Sequence, residues 1–301
     1  MGKSIKEFIN ELYSFKQIGR ITKHDIPGDC KFVADPFILY DPESNLWVIY
    51  LEAGFPGRRQ FIGILTSPDL TNWLYHGDAV KGSRESFPGI IAIDKTFMMV
   101  PCIDASPSPG LVTFYKSYSL LGPWKFAMQI NLKEKINDRI IMPFQLGKKS
   151  LLVYGTNSFC GPELLSIELN IDNETNKIST GKKYKISKSN PIAFFVKKLM
   201  NKNRLLMRPA GAVIKNKKQY YLPLQGTRTG KYGECVSLAD IRIGKNNIKI
   251  KNIEFFDHQR LCPDFTACHH LSYHQNESKK VFVLDGHTNH SGWEVRVFVF
   301  E

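Results

Sequence analysis

Runs rich in β-branched and aromatic residues, each roughly 4–8 residues long and bounded by Gly, Pro, Asn or Ser, recur along most of the chain, which is the pattern of short β-strands. The runs are grouped. Five times a characteristic opening precedes one, four times with a Pro: Ala34-Asp35-Pro36-Phe37, Ser86-Phe87-Pro88-Gly89, Ile141-Met142-Pro143-Phe144, Met207-Arg208-Pro209-Ala210 and, without the Pro, Cys268-His269-His270-Leu271. A turn and a second run follow each opening: Leu46 to Leu51, Thr96 to Pro101, Ser150 to Gly155, Gln219 to Leu224 and Lys280 to Asp285. A third run comes next: Phe61 to Thr66, Leu111 to Ser117, Glu163 to Leu169, Glu234 to Ile241 and Trp293 to Phe300. Three or four strands per unit, repeated five times, is the arithmetic of an all-β, five-bladed β-propeller.

The fifth unit stops after its third strand. Gln17 to His24 reads as a strand that completes it from the other terminus, closing the ring and removing a long exposed edge. Ser4 to Tyr13 reads as a short amino-terminal helix packed on the outside. The expectation is one propeller domain over 1–301, with blades opening near 34, 86, 141, 207 and 268 and an insertion over about 170–206. Within that insertion Pro191 to Met200 reads as a short helix, with Ser189 or Asn190 as its cap.

Composition narrows the class. The 301 residues are 43% hydrophobic and 12% aromatic, which excludes a disordered chain. No apolar run is long enough to cross a bilayer as a helix, and no secretory signal is visible, so the expected location is the cytoplasm. The six cysteines form no C-x-x-C pair and are expected as free thiols. Net charge +13 asks for an anionic partner. The lysines of 182–202 and 215–251 sit in Asn-rich stretches with few aromatics and no nucleic-acid reading motif, so nucleic acid is not the expected partner. Cys262, Asp264, Cys268, His269 and His270 are all zinc-type ligands, but their spacing fits no zinc module, and no nucleotide-cofactor motif occurs. Neither metal nor cofactor is expected.

In a propeller the inner strand of every blade starts at one face of the central funnel, so residues at the openings converge whatever their separation in sequence. That set is Asp35, Asp138 just ahead of the third opening, Arg208 and the His269-His270 pair, with Glu52, Gln225, Glu234 and Asp285 at nearby strand ends. Adjacent histidines on a strand point to opposite faces, so one faces the site and the other a blade interface. A ring of carboxylates, Arg and His is more polar than a structural plug requires. The Arg208 guanidinium, with His270 beside it, suits a carboxylate or phosphate group. An internal ion pair from Arg208 to Asp35 or Glu234 is the structural alternative.

Ala34-Asp35-Pro36-Phe37 followed by Trp47 to Glu52 resembles the first blade of the five-bladed sugar-active propellers of the glycoside hydrolase family 43 type. Asn190-Pro191, Arg208-Pro209-Ala210-Gly211, Lys231-Tyr232-Gly233-Glu234 and Ser119 to Trp124 resemble more closely the amino-terminal propeller of glucosamine inositolphosphorylceramide transferases and its bacterial relatives. The resemblance runs from about Asp29 to Asp285. The family 43 pattern implies a general-base Asp at the first opening, an orienting Asp at the third and a general-acid Glu at the fourth. Asp35 matches the first. The third opening carries Met142, with Asp138 four residues earlier, and the fourth carries Arg208.

The expected function is therefore a carbohydrate-active propeller, glycosidase-like or glycosyl-transferring, acting on an anionic sugar or sugar phosphate in glycan assembly or modification. Catalysis is assigned to Asp35 with Glu234 or Asp138, because glycoside chemistry needs two carboxyl groups in different protonation states. Substrate binding is assigned to Arg208, His270, Glu52, Gln225, Tyr232 and Asp285. Expected partners are an anionic carbohydrate, a nucleotide-sugar or a lipid-linked sugar phosphate, together with a glycan-assembly enzyme. The alternative is a non-catalytic glycan-binding propeller that presents substrate to a partner enzyme.

Overall fold

The computed structural model describes all residues except 1–3, 56–59, 81–84, 94, 104–109, 147–148, 159–160, 173–176, 189–203, 230, 232, 245–247 and 301. One helix, α1 (Ile5–Leu12), precedes strand β1 (Lys16–Ile21). Four strands then build blade 1, namely β2 (Phe32–Asp41), β3 (Leu46–Gly54), β4 (Phe61–Ser67) and β5 (Leu74–Asp78). Blade 2 is β6 (Glu85–Ile93), β7 (Thr96–Ile103), β8 (Leu111–Ser117) and β9 (Lys125–Asn131). Blade 3 is β10 (Ile136–Leu146), β11 (Lys149–Ser158), β12 (Gly161–Asp172) and β13 (Lys177–Lys185). Blade 4 joins β14 (Ser187–Lys188), β15 (Arg204–Pro209), β16 (Ile214–Asn216), β17 (Gln219–Thr227), β18 (Cys235–Ile243) and β19 (Ile248–Phe256). Blade 5 is β20 (Leu271–Gln275), β21 (Lys280–Thr288) and β22 (Gly292–Phe300), with β1 as its outer strand. The all-β, five-bladed expectation holds, as does the short amino-terminal helix.

Closure is antiparallel: Lys16 faces Val299 and Ile21 faces Val295. The buried Glu294 fixes the seam from inside β22, accepting from Arg20 of β1 and, at 2.6 Å, from Nε of Arg296. Helix α1 carries apolar residues at Ile5, Phe8, Ile9 and Leu12, one stripe along its length. Ser4 and Glu7 cap it reciprocally. The stripe packs on blades 4 and 5, with Phe8 stacked 4.7 Å from Tyr221 and edge-on to Tyr273.

The region expected as an insertion divides differently. Lys177–Lys185 is the fourth strand of blade 3, paired along β12, and Ser187–Lys188 adds a parallel pair to β19. The helix expected over Pro191 to Met200 lies outside the described residues.

The Pro-marked openings have a common physical consequence. Proline has no N–H to give the ladder, so the inner strand must bulge there. Pairing shifts between Ala34 and Phe37, between Ser86 and Gly89, between Ile141 and Gln145 and between Leu205 and Pro209. In three of these bulges a non-glycine residue takes a left-handed conformation: Asp35 at φ 49°, Phe87 at 49° and Met207 at 52°. Such backbone costs about 1 kcal/mol or more per residue and is held by surrounding packing. Phe87, Met142 and Met207 are buried and apolar. Asp35 is polar where Phe87 and Met142, which also stand just before an opening proline, are apolar, and Arg208 holds that place in blade 4.

Candidate functional site

Asp35 is 5% exposed. Its carboxylate Oδ1 lies 3.3 Å from His270 Nδ1 and 3.7 Å from His269 Nε2. Glu52, opposite Ala34 on β3, also hydrogen-bonds to it. Burial alone would raise the Asp35 pKa. The His269 charge, the bond from His270 and the bond from Glu52 outweigh it and hold Asp35 below the usual carboxylate range.

Asp285, on β21, organises this half of the site. Its Oδ2 accepts from the Asp35 backbone N–H at 3.0 Å and sits 2.7 Å from His269 Nδ1. Its Oδ1 accepts from the backbone N–H groups of His269 and His270, at 3.1 and 2.8 Å. One carboxylate thus ties the last blade to the first. Burial lowers the affinity of His269 for a proton, but Asp285 and then Asp35 outweigh it and raise its pKa to about 9. His270 is fully buried between the rings of Phe37 and Phe87, 4.7 and 5.4 Å away. His269 instead packs on Trp293 at 4.4 Å.

The other half belongs to blades 2, 3 and 4. Asp138, on β10, accepts from Arg208 Nε at 3.0 Å, from Arg208 Nη2 at 2.8 Å and from Gln225 Nε2 at 2.9 Å, all on Oδ2. Cys102 Sγ donates to its Oδ1 at 3.6 Å. Beside it the buried Arg139 donates through Nε to the Pro101 carbonyl at 3.0 Å, pinning blade 3 to blade 2. The Arg208 side chain is 24% exposed, so part of the guanidinium reaches the surface while Asp138 stays beneath it. Asp138 adds a smaller favourable contribution to the charge of His269.

Two glycines explain the motifs around this half. Gly211 has φ +140°, and a Cβ there would lie 2.0 Å from the Leu271 carbonyl oxygen, where blade 4 meets blade 5. Gly233 has φ +77° and sits against the ring of His269. That loop is fixed by Glu234, which accepts from Thr227 Oγ1, Thr229 Oγ1 and the backbone N–H groups of Arg228 and Thr229, at 2.5 to 2.9 Å. The little burial it has opposes ionisation, but these donors dominate and hold its pKa at about 2. A carboxylate so held is a poor proton donor, and in this structure Glu234 staples a turn.

The expected binding residues separate likewise. Arg208 is partly open and Glu52 touches Asp35. Gln225, His270 and Asp285 are each 0% exposed; Gln225 donates to Asp138, Asp285 accepts from the His270 backbone, and His270 lies against Asp35. Tyr232 lies outside the described residues. Lys183 and Lys185, on the outer strand of blade 3, pair with Glu134 and Glu163. Sequence reasoning passed over Trp293 and Cys102, whose neighbours come from distant strands and leave no local signal.

Asp35, His269 and Asp285 could hold a cation, since each offers one ligand atom and these lie within 4.8 Å of one another. Among the described residues the sequence-adjacent Cys262 and Asp264 do not join them; Asp264 turns outward to Arg296 at 2.6 Å.

No protein-family model matches the sequence, and no curated protein matches it. Solved structures do match in fold. A thermostable family-43 glycoside hydrolase is 16% identical at a TM-score of 0.63, covering 92% of this chain and 92% of its own. The endo-1,4-beta-xylanase of Bacteroides thetaiotaomicron is 14% identical at 0.63, over 88% and 89%. The endo-arabinase of the same organism is 10% identical at 0.64, over 95% and 98%. At these identities the likeness establishes the fold. No helix among the described residues is long and apolar enough to cross a membrane.

Proposed function

We infer that this chain is a glycosidase-like, carbohydrate-active propeller whose funnel takes a sugar carrying an anionic group. The observation that carries the reading is Asp35: a buried, ionised carboxylate, held in a left-handed backbone conformation at the opening of blade 1, in a fold shared with glycoside hydrolases. Asp35 is the base, taking a proton from attacking water or from an acceptor hydroxyl as the glycosidic bond breaks. Of the two carboxylates nominated as its partner, Asp138 is the better placed, because Glu234 is committed to its own turn. The half-open guanidinium of Arg208 supports a carboxylate or phosphate on the ligand. The resemblance of the Arg208 to Gly211 and Lys231 to Glu234 segments to glucosamine inositolphosphorylceramide transferases supports glycosyl transfer in glycan assembly as the setting.

The test is turnover. Wild type and Asp35→Asn are incubated with uronic-acid glycosides, sugar phosphates, nucleotide-sugars and neutral oligosaccharides, and released or transferred sugar is measured. The account expects product from an anionic substrate and a loss of about a thousandfold in Asp35→Asn, with the fold intact. An active, folded Asp35→Asn protein removes the assignment.

A second reading, a glycan-binding propeller that presents substrate to a partner enzyme, is favoured by the commitment of Asp138 to Arg208 and Gln225 and of Glu234 to its turn. It predicts ligand binding without product at any pH.

A further inference from the structure

The four strands of blade 2 are antiparallel, so the β8–β9 hairpin turns at the end of the propeller opposite the funnel openings. Among the described residues five large hydrophobic side chains are exposed, and three belong to this hairpin: Tyr118 at 76%, Phe126 at 62% and Leu121 at 36%. Chance scatter would spread them around the ring. The turn is firmly set, so the exposure is not the result of a loose loop. Leu120 and Trp124 are buried between blades 1 and 2, Tyr50 donates its hydroxyl to the Leu120 carbonyl, and the Ser117 and Ser119 hydroxyls accept from the backbone N–H groups of Ser119 and Leu121.

Two lysines flank the apolar residues. Lys116 and Lys125 are directly opposed across the ladder, an arrangement of like charges that disfavours the pairing. Lys116 lies over the Tyr118 ring, 5.4 Å from its centroid, and Phe126 packs edge-on to Tyr115. A local conflict of charge beside outward aromatics marks a surface shaped for something outside the chain.

The geometry points to this hairpin as a docking surface for an anionic lipid bilayer. Aromatic rings settle at the interface between headgroups and acyl chains, and lysines beside them meet the negative headgroups. A second copy of the chain is disfavoured as occupant, because each copy carries a net charge of +13 and would bring the same lysines to the contact. Docked in this way, the protein keeps its funnel open on the far side. The inference is independent of what the funnel binds.

The test is co-sedimentation of the full chain with vesicles of phosphatidylcholine alone and of phosphatidylcholine mixed with phosphatidylserine. The variants are Tyr118→Ser with Phe126→Ser, Lys116→Gln with Lys125→Gln, and, as a control of equal charge change, Lys249→Gln with Lys251→Gln on blade 4. All are checked for an unchanged Tm. The expected result is binding to the anionic vesicles only, weakened roughly tenfold or more by either hairpin pair and little by the control. Absence of binding, or binding indifferent to the hairpin variants, overturns the proposal. So does binding that responds equally to both lysine pairs and ignores the aromatic pair, since that is how a polyanion such as RNA would behave.

Discussion

On the side of blades 1 and 5, Asp35 is buried among His269, His270 and Glu52, and Asp285 clamps the backbone that carries it. On the side of blades 3 and 4, Asp138 is met by a side chain, Arg208, that is itself part solvent-exposed. The first carboxylate sits among buried side chains, on a backbone that Asp285 clamps from the last blade. The second is balanced by a flexible cation that could exchange its partner for a ligand anion at modest cost. The difference separates a group whose charge is built in from a group whose charge is available: the base Asp35 stands on the first side, and the anion-recognising Arg208 stands with the partner carboxylate Asp138 on the second.

The comparison can be broken most severely at Asp285. Its replacement by Ala leaves buried N–H groups and a buried histidine without their acceptor, and should cost about 4 kcal/mol in urea unfolding. A loss near zero would mean that the clamp is ornamental. Next comes pH. His269 has its folded pKa raised to about 9 from an ordinary 6.5, so the stability it contributes is complete below about pH 6.5 and is lost as pH rises towards 9. Tm should fall by several degrees over that window, and much less in Asp285→Asn. Arg208→Ala should cost about 2 kcal/mol, less than Asp285→Ala because the pair is part-exposed, and Asp138→Asn added to it should recover most of that. The smallest effect is expected from Glu234→Gln: about 1 kcal/mol of stability, with turnover retained. Abolished turnover in a stable Glu234→Gln protein would restore Glu234 as the acid.

The five blades were legible because a proline inside a β-rich run forces a bulge, and the bulge recurs at Pro36, Pro88, Pro143 and Pro209. Closure by the amino-terminal strand was legible from the missing fourth strand of the last unit. The convergence of Asp35, Asp138 and Arg208 followed from topology alone, although the ion pair of Arg208 proved to be with Asp138 rather than with Asp35 or Glu234. The expected alternation of His269 and His270 did not hold: both precede β20 instead of lying on it, and both rings reach Asp35, while the contact of His270 with Phe37 and Phe87 depends on two other blades. The donors to Glu234 were not read because they are its neighbours in sequence: a turn that folds back on its own carboxylate looks, in one dimension, like a free acid at a strand end. The outer strand Lys177–Lys185 was hidden by its lysines, which suit an exposed edge as well as they suit a loop.

Thermal-shift binding most directly tests the claim that the Arg208 side of the funnel recognises negative charge. Wild type and the Asp138→Asn, Arg208→Gln double variant, in which no charge is left unpaired, would each be heated with sugar phosphates, uronic acids, nucleotide-sugars and neutral oligosaccharides. A ligand at a hundredfold excess over Kd stabilises by about 2.7 kcal/mol, which is readily seen. The account predicts shifts with the anionic sugars that disappear in the double variant. Shifts with neutral oligosaccharides alone, or anionic shifts that survive the double variant, would contradict it.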